Sequence, residues 1–174
     1  MTDTPQVRII SAAEWQIYKA LRLRALADAP YAFGSTLARE EKRTDAAWKD
    51  RFIADESSWN LPVFAEVAQE PVGLSWGRIE RANPEIANLY QMWVAPTHRG
   101  LGLGRLLLNT VIAWAKEKNA HYLDLGVTVQ DNNPAIQLYT RAGFRPIGEP
   151  EALRPDSTLM GQSMRLDLRN QNAP

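Results

Sequence analysis

The chain has 174 residues, 45% hydrophobic and 23% charged, so it is long and apolar enough to fold as one domain with its own core. Its 20 basic residues balance its 20 acidic residues, which argues against a broad polyanion-binding face and so against nucleic acid as a partner. The absence of cysteine excludes disulfides, thiolate metal ligands and a covalent cysteine enzyme, and two isolated histidines predict no metal site.

The N-terminal third predicts a strand and two helices. It begins without a basic segment followed by a long apolar stretch, and no later segment has the roughly 18 apolar residues that span a bilayer, so we expect a cytoplasmic protein with no membrane partner. After the strand "VRII", a helix over 11–30 is capped by Ser11, ended by Pro30 and buries one face, formed by Ile17, Tyr18, Leu21 and Ala25. A second, charged helical segment covers 36–56.

The rest of the chain predicts five more strands and two more helices. Alternating apolar residues predict strands over 61–68 and 71–80, joined as a hairpin, and further strands over 88–96, 122–130 and 159–168. A long helix follows Pro96 and has on its core side Leu103, Leu107, Val111 and Trp114. A short helix covers 133–143. This order predicts a mixed sheet flanked by helices, in the α/β or α+β class.

The stretch "RGLGLGR", residues 99–105, places three glycines between a strand and the long helix. Unpaired backbone N–H groups and the helix dipole favour an anion there, and the flanking arginines add charge, so the stretch predicts a phosphate site. A flexible connector with solvated arginines is the alternative. A P-loop is excluded because the required lysine and hydroxyl residue are absent. Asp124 follows Gly104 by 20 residues, which is the spacing of the ribose-binding acidic residue in dinucleotide-binding folds. The glycine spacing here does not match the pattern of those folds.

Two motifs resemble those of the GNAT superfamily of acetyl-CoA-dependent N-acetyltransferases. The first comprises Arg99, Gly102 and Gly104, preceded by Val94 and Pro96. The second comprises Asn132, Ala135, Leu138, Tyr139, Gly143 and Phe144. The resemblance covers nearly the whole chain and implies one N-acetyltransferase domain over 1–174, with a core of about 7–168. It also implies a mixed, mostly antiparallel sheet flanked by helices, with an acetyl-CoA cleft between the fourth and fifth strands.

The resemblance assigns cofactor-binding roles to three segments. The turn that would cradle the pyrophosphate contains Arg99, Gly100, Leu101, Gly102, Leu103, Gly104 and Arg105. The fourth strand would offer main-chain groups to the pantetheine and the acetyl carbonyl through Met92, Trp93 and Val94. Asn132 would also reach the cofactor, whereas Pro134 makes its neighbour Asn133 the expected helix cap.

Tyr139 resembles the family's general acid, which meets the departing sulfur of CoA, although a core aromatic residue would show the same spacing. The general base is not evident. The positions where many members carry an acidic residue fall near Asn88 and Val127 here, which leaves Glu85 as the nearest carboxylate, Glu40 and Glu41 as alternatives, and a water chain as another route.

These features predict an enzyme that moves acetyl from acetyl-CoA directly onto a primary amine of a small molecule, a peptide or a protein, in a ternary complex and without a metal. The acceptor pocket is expected beside the first two helices, with apolar walls formed by Tyr31, Phe33, Trp48 and Phe52. A non-catalytic acyl-CoA sensor and a dinucleotide-dependent oxidoreductase are the rival interpretations. A homodimer is left open.

Overall fold

The computed structural model describes residues 4–53 and 55–172. Ala54 of the predicted second helical segment and both ends of the predicted 1–174 domain lie outside the described residues. The described strands are β1 (Gln6–Ile9), β2 (Ser58–Val67), β3 (Glu70–Glu80), β4 (Ile86–Val94), β5 (Tyr122–Thr128), β6 (Arg145–Pro146), β7 (Glu151–Ala152) and β8 (Met160–Asp167). The described α-helices are α1 (Trp15–Asp28), α2 (Leu37–Glu41), α3 (Asp45–Asp50), α4 (Leu103–Glu117) and α5 (Pro134–Arg141).

The described strands form one sheet in the order β1-β2-β3-β4-β5-β8-β6, with β7 paired to β8. The pair β4–β5 is parallel, and the other strand pairs are antiparallel. Parallel neighbours need a crossover connection, and α4 supplies it. The predicted fold class, a mixed and mostly antiparallel sheet flanked by helices, is confirmed.

The two sheet faces are covered by different helices. On β3, Trp76 packs against Tyr18 of α1 with ring centroids 5.5 Å apart. Gly77, the next residue, faces α4, where an added Cβ would lie 2.9 Å from the Trp114 ring. The absence of a side chain at Gly77 therefore lets α4 pack closely on the sheet. The predicted core face of α4 is confirmed, because Leu103, Leu107, Val111 and Trp114 are all buried.

The parallel strands β4 and β5 separate along their length. Their pairing runs only from Ile86–Tyr122 to Leu89–Leu125, although both strands continue. Just beyond this point Gln91 adopts a left-handed φ of 60°, and the register between β3 and β4 shifts. One residue of β3 opposes two residues of β4, which is a β-bulge that bends the strand. The sheet therefore opens at the carboxyl ends of β4 and β5.

Three details of the predicted elements need correction. Ile17 is 45% exposed, whereas Tyr18, Leu21 and Ala25, the other residues of the predicted face, are buried, because the buried face of α1 is centred on Tyr18, Arg22 and Ala25. The helix begins only at Trp15, after a 3-10 turn over Ala12–Glu14. The segment 36–56 forms two short helices rather than one, since Thr44 caps a new helix by accepting a hydrogen bond from the Ala47 N–H. The two-residue strands β6 and β7 were not predicted. Within the described residues, none of the helices is long and apolar enough to cross a bilayer.

Candidate active site

A cleft of about 540 Å³ opens where β4 and β5 diverge. Its walls are the end of β4, the glycine turn and first residues of α4, the loop before α5, the inner face of α5, and the loop after α1. Residues from both predicted motifs meet here, since Gly102 and Tyr139 both border the cleft although they are far apart in sequence. The fold thus brings the two motifs into one site.

The glycine turn carries two left-handed residues, Gly100 with φ 81° and Gly102 with φ 79°. L-residues other than glycine rarely adopt this conformation, which explains two of the three glycines. Nothing lies within 4 Å of a Cβ built on either residue, so each backbone faces open space at the cleft wall. Gly104 is different, because it is helical and its added Cβ would make ordinary contact with Leu138.

The turn also exposes hydrogen-bond donors at the start of α4. Gly102 is the N-cap, and its carbonyl accepts the first bond of the helix from the Leu106 N–H at 3.0 Å. The N–H groups of Leu103, Gly104 and Arg105 precede that bond and have no acceptor within the helix. These donors and the positive end of the helix dipole suit a phosphate group. Leu101 is exposed and does not border the cleft.

Tyr139 lies on the inner face of α5 and is 6% exposed. Its ring packs against Phe144 with centroids 5.7 Å apart, while its hydroxyl forms no hydrogen bond with any described residue. Burial raises the pKa of the Tyr139 hydroxyl, so it stays protonated at neutral pH. The ring is therefore part of the core, as one interpretation of the sequence expected, and the hydroxyl is also a free donor beside the cleft.

Asn132 and Asn133 have different roles. The Asn133 side chain caps α5 by accepting a hydrogen bond from the Ala135 N–H at 2.9 Å, which confirms the predicted cap. Asn132 is exposed, has a left-handed φ of 55° and borders the cleft. Its side chain forms no hydrogen bond with any described residue, so it remains available to a ligand in the cleft.

The comparisons with known proteins agree with this geometry. The model of the acetyltransferase (GNAT) family matches residues 21–144, which include β2 to β5, α4 and α5. This chain belongs to the GNAT family. The predicted resemblance is thereby confirmed.

Relatives of this GNAT family member differ in length and in name. A mycothiol acetyltransferase from Acidothermus cellulolyticus is 29% identical over 168 residues, covering 93% of this chain and 51% of that protein. A streptothricin acetyltransferase from Streptomyces lavendulae is 42% identical over 69 residues, covering 40% of this chain and 36% of that protein. The chain thus spans about half the length of these curated relatives, or less.

Solved structures show the same GNAT fold. The yncA protein of Salmonella typhimurium, whose structure contains its cofactor acetyl-CoA, has a TM-score of 0.72 at 20% identity, and 98% of each chain is covered. The ribosomal-protein-alanine N-acetyltransferase of Brucella melitensis has a TM-score of 0.72 at 23% identity, with 93% of this chain and 99% of that chain covered. At these identities the likeness establishes the fold.

In this GNAT family member Arg99 is held by Asp28, the last residue of α1. The Asp28 carboxylate accepts hydrogen bonds from Arg99 Nη2 at 2.7 Å and from Trp93 Nε1 at 2.9 Å. Arg99 Nε also donates to the Val94 carbonyl at 3.0 Å. Arg99 therefore joins α1, β4 and the glycine turn, and its guanidinium is less free for phosphate than the motif alone implied. Arg105 is exposed at the cleft wall.

We expect Asp28→Ala to weaken CoA binding about two- to tenfold, because hydrogen bonds of this kind contribute about 0.5–1.5 kcal/mol and this one aligns the turn with β4. Calorimetry with CoA measures the change. Asp45→Ala is the control, since it removes an exposed ion pair with Lys19 that does not border the cleft. Unchanged CoA binding in Asp28→Ala would show that this contact does not align the turn, and tighter binding would show that Arg99 binds phosphate better without this partner.

A smaller cavity of about 110 Å³ continues between the diverging strands and is bordered by Tyr31, Phe33, Gln91 and Tyr139. The loop that carries Tyr31 and Phe33 is anchored at both ends. Thr128 Oγ1 donates to the Tyr31 carbonyl at 2.6 Å, and Arg154 Nη1 donates to the Phe33 carbonyl at 2.9 Å. Tyr31 and Phe33 therefore border the cavity between the diverging strands, and their role in binding the acceptor stays a prediction.

Trp48 and Phe52 do not border this pocket, which corrects their predicted role. Trp48 is fully buried, with its ring edge against Tyr18. Phe52 packs between Tyr18 and Trp76, with centroids 5.2 Å and 5.5 Å away. Both aromatic residues therefore belong to the core that supports α1 on the sheet.

Glu85 lies at the wrong end of β4 to act as the base. It immediately precedes the strand, and its carboxylate is 3.5 Å from His121 Nδ1. Met92, at the cleft, lies about 23 Å further along the chain at the usual strand rise of about 3.3 Å per residue. Glu85 borders neither cavity, so the expectation that it is the base is corrected.

The other acidic residues considered in the sequence analysis are either paired with arginines or remote from both cavities. Glu40 is buried, which by itself raises the pKa of its carboxyl, but Ser35, Arg51 and Arg43 outweigh this effect and hold the pKa below its ordinary value. Glu41 is exposed and borders neither cavity. Asp124 pairs with Arg165 through two hydrogen bonds of 2.7 Å, so it is not free to bind a ribose.

We expect Glu85→Gln to leave kcat and its pH profile unchanged, because the carboxylate is remote from the cleft. The measurement is acetyl transfer from neutral pH up toward the pKa of the acceptor amine, at saturating acceptor. A lower kcat near neutral pH that recovers as the pH rises would instead identify Glu85 as the base.

Asp28 and Gln91 were not predicted as site residues. Asp28 contacts Arg99 across 71 positions of sequence, and no local pattern indicates such a pair. Gln91 is a non-glycine residue with a left-handed φ at the point where the strands open, and nothing in an apolar strand sequence indicates this. Tertiary contacts determine both positions.

Proposed function

We propose that this protein transfers the acetyl group of acetyl-CoA directly to a primary amine. The observation that carries the proposal is the Tyr139 hydroxyl, a buried donor with no partner among the described residues, beside the cleft where β4 and β5 part. Family membership supports the same reaction class.

The cleft fits acetyl-CoA. The glycine turn offers backbone donors and open space beside Gly100 and Gly102, which suits the pyrophosphate. The end of β4, over Met92, Trp93 and Val94, has no neighbouring strand on the β5 side, so its main chain is available to the pantetheine. Asn132 and Arg105 stand at the cleft wall. The thioester would then lie beside Tyr139.

In the proposed reaction the amine nitrogen attacks the thioester carbonyl, so that a C–N bond forms, the C–S bond breaks and CoA leaves as a thiolate. Reference pKa values of about 10 for tyrosine and about 8.5 for a thiol make full proton donation by Tyr139 about 2 kcal/mol uphill. Burial raises the pKa of Tyr139 and increases that difference. Tyr139 therefore acts by hydrogen bonding to the sulfur, and the proton that the nitrogen loses after the C–N bond has formed completes the thiol.

The amine must lose its proton before it attacks. A lysine-type amine has a reference pKa of about 10.4, so only about one molecule in 2,500 is neutral at pH 7. No free carboxylate borders the smaller cavity among the described residues. We propose that water in the cleft carries this proton to bulk solvent. Because the chain has no cysteine, no thiol acyl-enzyme intervenes and both substrates bind together.

An acetyl-CoA turnover screen, read as release of free CoA, tests the proposal. The panel includes small amines, amino acids and peptides, because the names of the similar proteins include mycothiol, streptothricin and a ribosomal-protein alanine. The sensor alternative predicts thermal protection by acetyl-CoA with no turnover for any amine. The oxidoreductase alternative predicts protection by NAD instead of CoA.

A further inference from the structure

The smaller cavity between the diverging strands has a neutral wall. Four aromatic residues border it, namely Tyr31, Phe33, Tyr90 and Tyr139, and the other described residues at its wall are glycine or neutral aliphatic and polar residues. An ammonium group that enters the cavity loses hydration and gains no paired charge from the described wall, which disfavours the charged form of an amine. The cavity therefore favours an acceptor amine that is already neutral in solution.

The neutral fraction of an amine in solution depends on its own pKa. A lysine side chain, with a reference pKa of about 10.4, is neutral in only about one molecule in 2,500 at pH 7. The α-amine of a peptide, with a reference pKa of about 7.8, is neutral in about one molecule in seven. The reactive form of the α-amine is thus roughly 350-fold more abundant at equal total concentration. This difference favours α-amines as acceptors.

The cavity is open to solvent at Tyr90 and Gly126, which both border it. Tyr90 is 48% exposed, and Gly126 is exposed with nothing within 4 Å of an added Cβ. With about 110 Å³, against about 540 Å³ for the cleft, the cavity suits a small terminal group rather than a whole peptide. The rest of a longer acceptor can pass Tyr90 and Gly126 into solvent.

Gln91 offers a neutral hydrogen-bond donor at the same wall. The Tyr18 hydroxyl accepts a hydrogen bond from Arg51 Nη1 at 3.0 Å and donates to Gln91 Oε1 at 2.6 Å, which orients the Gln91 amide. The Gln91 Nε2 group donates no hydrogen bond to any described residue. It is therefore available to a carbonyl group in the cavity.

We propose that the acceptor is the α-amine at the N-terminus of a peptide chain, and that Gln91 donates to its first peptide carbonyl. One carbon atom separates this carbonyl from the α-amine, so both fit in the small cavity while the rest of the chain leaves past Tyr90 and Gly126. A free amino acid would instead bring a carboxylate to a wall with no described cation. The inference rests on the proposed acetyl transfer.

The first experiment compares two forms of one peptide that begins with alanine and contains one lysine. One form has a free α-amine and an acetylated lysine, and the other has an acetylated N-terminus and a free lysine. We expect kcat/KM at pH 7 to be at least about tenfold higher for the free α-amine. This ratio should fall by roughly 40-fold between pH 7 and pH 9.5, because the ratio of the neutral fractions falls from about 350 to about 9. Titration of groups on the protein affects both peptides and cancels.

Two small acceptors test whether a peptide chain is needed. Alaninamide has the α-amine and the carbonyl without a following chain, and free alanine carries a carboxylate. We expect kcat/KM for the peptide to exceed that of both by at least about tenfold. Equal or higher kcat/KM for the free lysine at pH 7, or for either small acceptor, would overturn the inference.

Two variants test the residues of the proposed path. Gly126→Val places a branched side chain at the mouth in an extended strand, where it has space, so the fold should be retained. It should raise KM for the peptide at least about tenfold and leave the Kd for CoA unchanged, because Gly126 does not border the cleft. Gln91→Glu keeps the acceptor for Tyr18 but removes the donor, and should raise this KM about two- to tenfold.

Gln6→Val is the control for both variants, because Gln6 is exposed on the edge strand β1 and borders neither cavity. It should keep the parental KM. A parental KM for the peptide in Gly126→Val or in Gln91→Glu would contradict the proposed path.

Calorimetry separates this inference from the proposed function. The probe is the peptide with a free α-amine, titrated into the CoA complex. If no amine is acetylated but the peptide binds and Gly126→Val abolishes that binding, the peptide site stands and acetyl transfer fails. If lysine or a small amine is acetylated but the α-amine of the peptide is not, acetyl transfer stands and the peptide site fails.

Discussion

Replacing Gly102 with valine is expected to abolish CoA binding, which we define as at least a hundredfold rise in Kd, or about 2.7 kcal/mol. Gly102 has a φ of 79° and caps α4 at the cleft wall. A β-branched residue is strongly disfavoured in this conformation, so the turn would change shape and its N–H groups would no longer point together. The isopropyl group would also enter the open space beside Gly102 that the phosphates are expected to use.

Gly148→Val is the matched control for Gly102→Val. Gly148 also has a left-handed φ, 65°, and nothing lies within 4 Å of its added Cβ, but it does not border the cleft. Both variants should lose a similar amount of stability from backbone strain, about 1–2 kcal/mol, and only Gly102→Val should lose CoA binding. Calorimetry measures the Kd for CoA of both folded variants. A near-parental Kd in Gly102→Val would rule out a phosphate role for the turn.

The sequence predicted the features that depend on local patterns. Apolar periodicity placed α4 and its buried residues Leu107 and Val111, and Pro134 indicated that Asn133 caps α5. The glycine turn could be predicted as an anion site because its chemistry is contained within seven consecutive residues, 99–105. The family motifs added the fold and the position of the cleft between the fourth and fifth strands.

The sequence did not predict features that depend on distant contacts. Trp48 and Glu85 have residue types suited to a pocket wall and a base, yet Trp48 is in the core and Glu85 is at the far end of β4. Only the folded chain shows which end of a strand faces the cleft. Arg22 looks like a surface arginine in a charged helix, and its burial follows from how α1 packs on the sheet and the Phe33 loop.

Tyr139→Phe is expected to lower kcat ten- to a thousandfold with little change in CoA affinity. The substitution keeps the ring that packs against Phe144 and removes only the hydroxyl, so the fold should be retained. The hydroxyl has no partner among the described residues, so its removal leaves no protein group unsatisfied. An effect on kcat would therefore report a lost interaction with the reacting atoms.

The size of the expected loss follows from what the hydroxyl contacts. Removal of one donor from an oxyanion site costs about 2.7–4 kcal/mol, and a thiolate, whose charge is more diffuse than that of an alkoxide, should fall at or below this range. The interaction strengthens as the C–S bond breaks, so the loss should appear in kcat rather than in binding. Because burial raises the pKa of Tyr139, its hydroxyl should remain a donor up to about pH 10. Ionisation of Tyr139 should therefore cause no fall in kcat below that pH.

Single-turnover and steady-state assays at saturating acceptor should both be measured, since slow product release can hide a chemical defect. Tyr122→Phe is the matched control, because its hydroxyl accepts a hydrogen bond from Arg169 Nη2 at 2.7 Å and does not border the cleft. Tyr122→Phe should keep the parental kcat. If Tyr139→Phe also keeps the parental rate in both assays, Tyr139 only packs in the core, and the departing thiolate must be stabilised by solvent or by the backbone of β4.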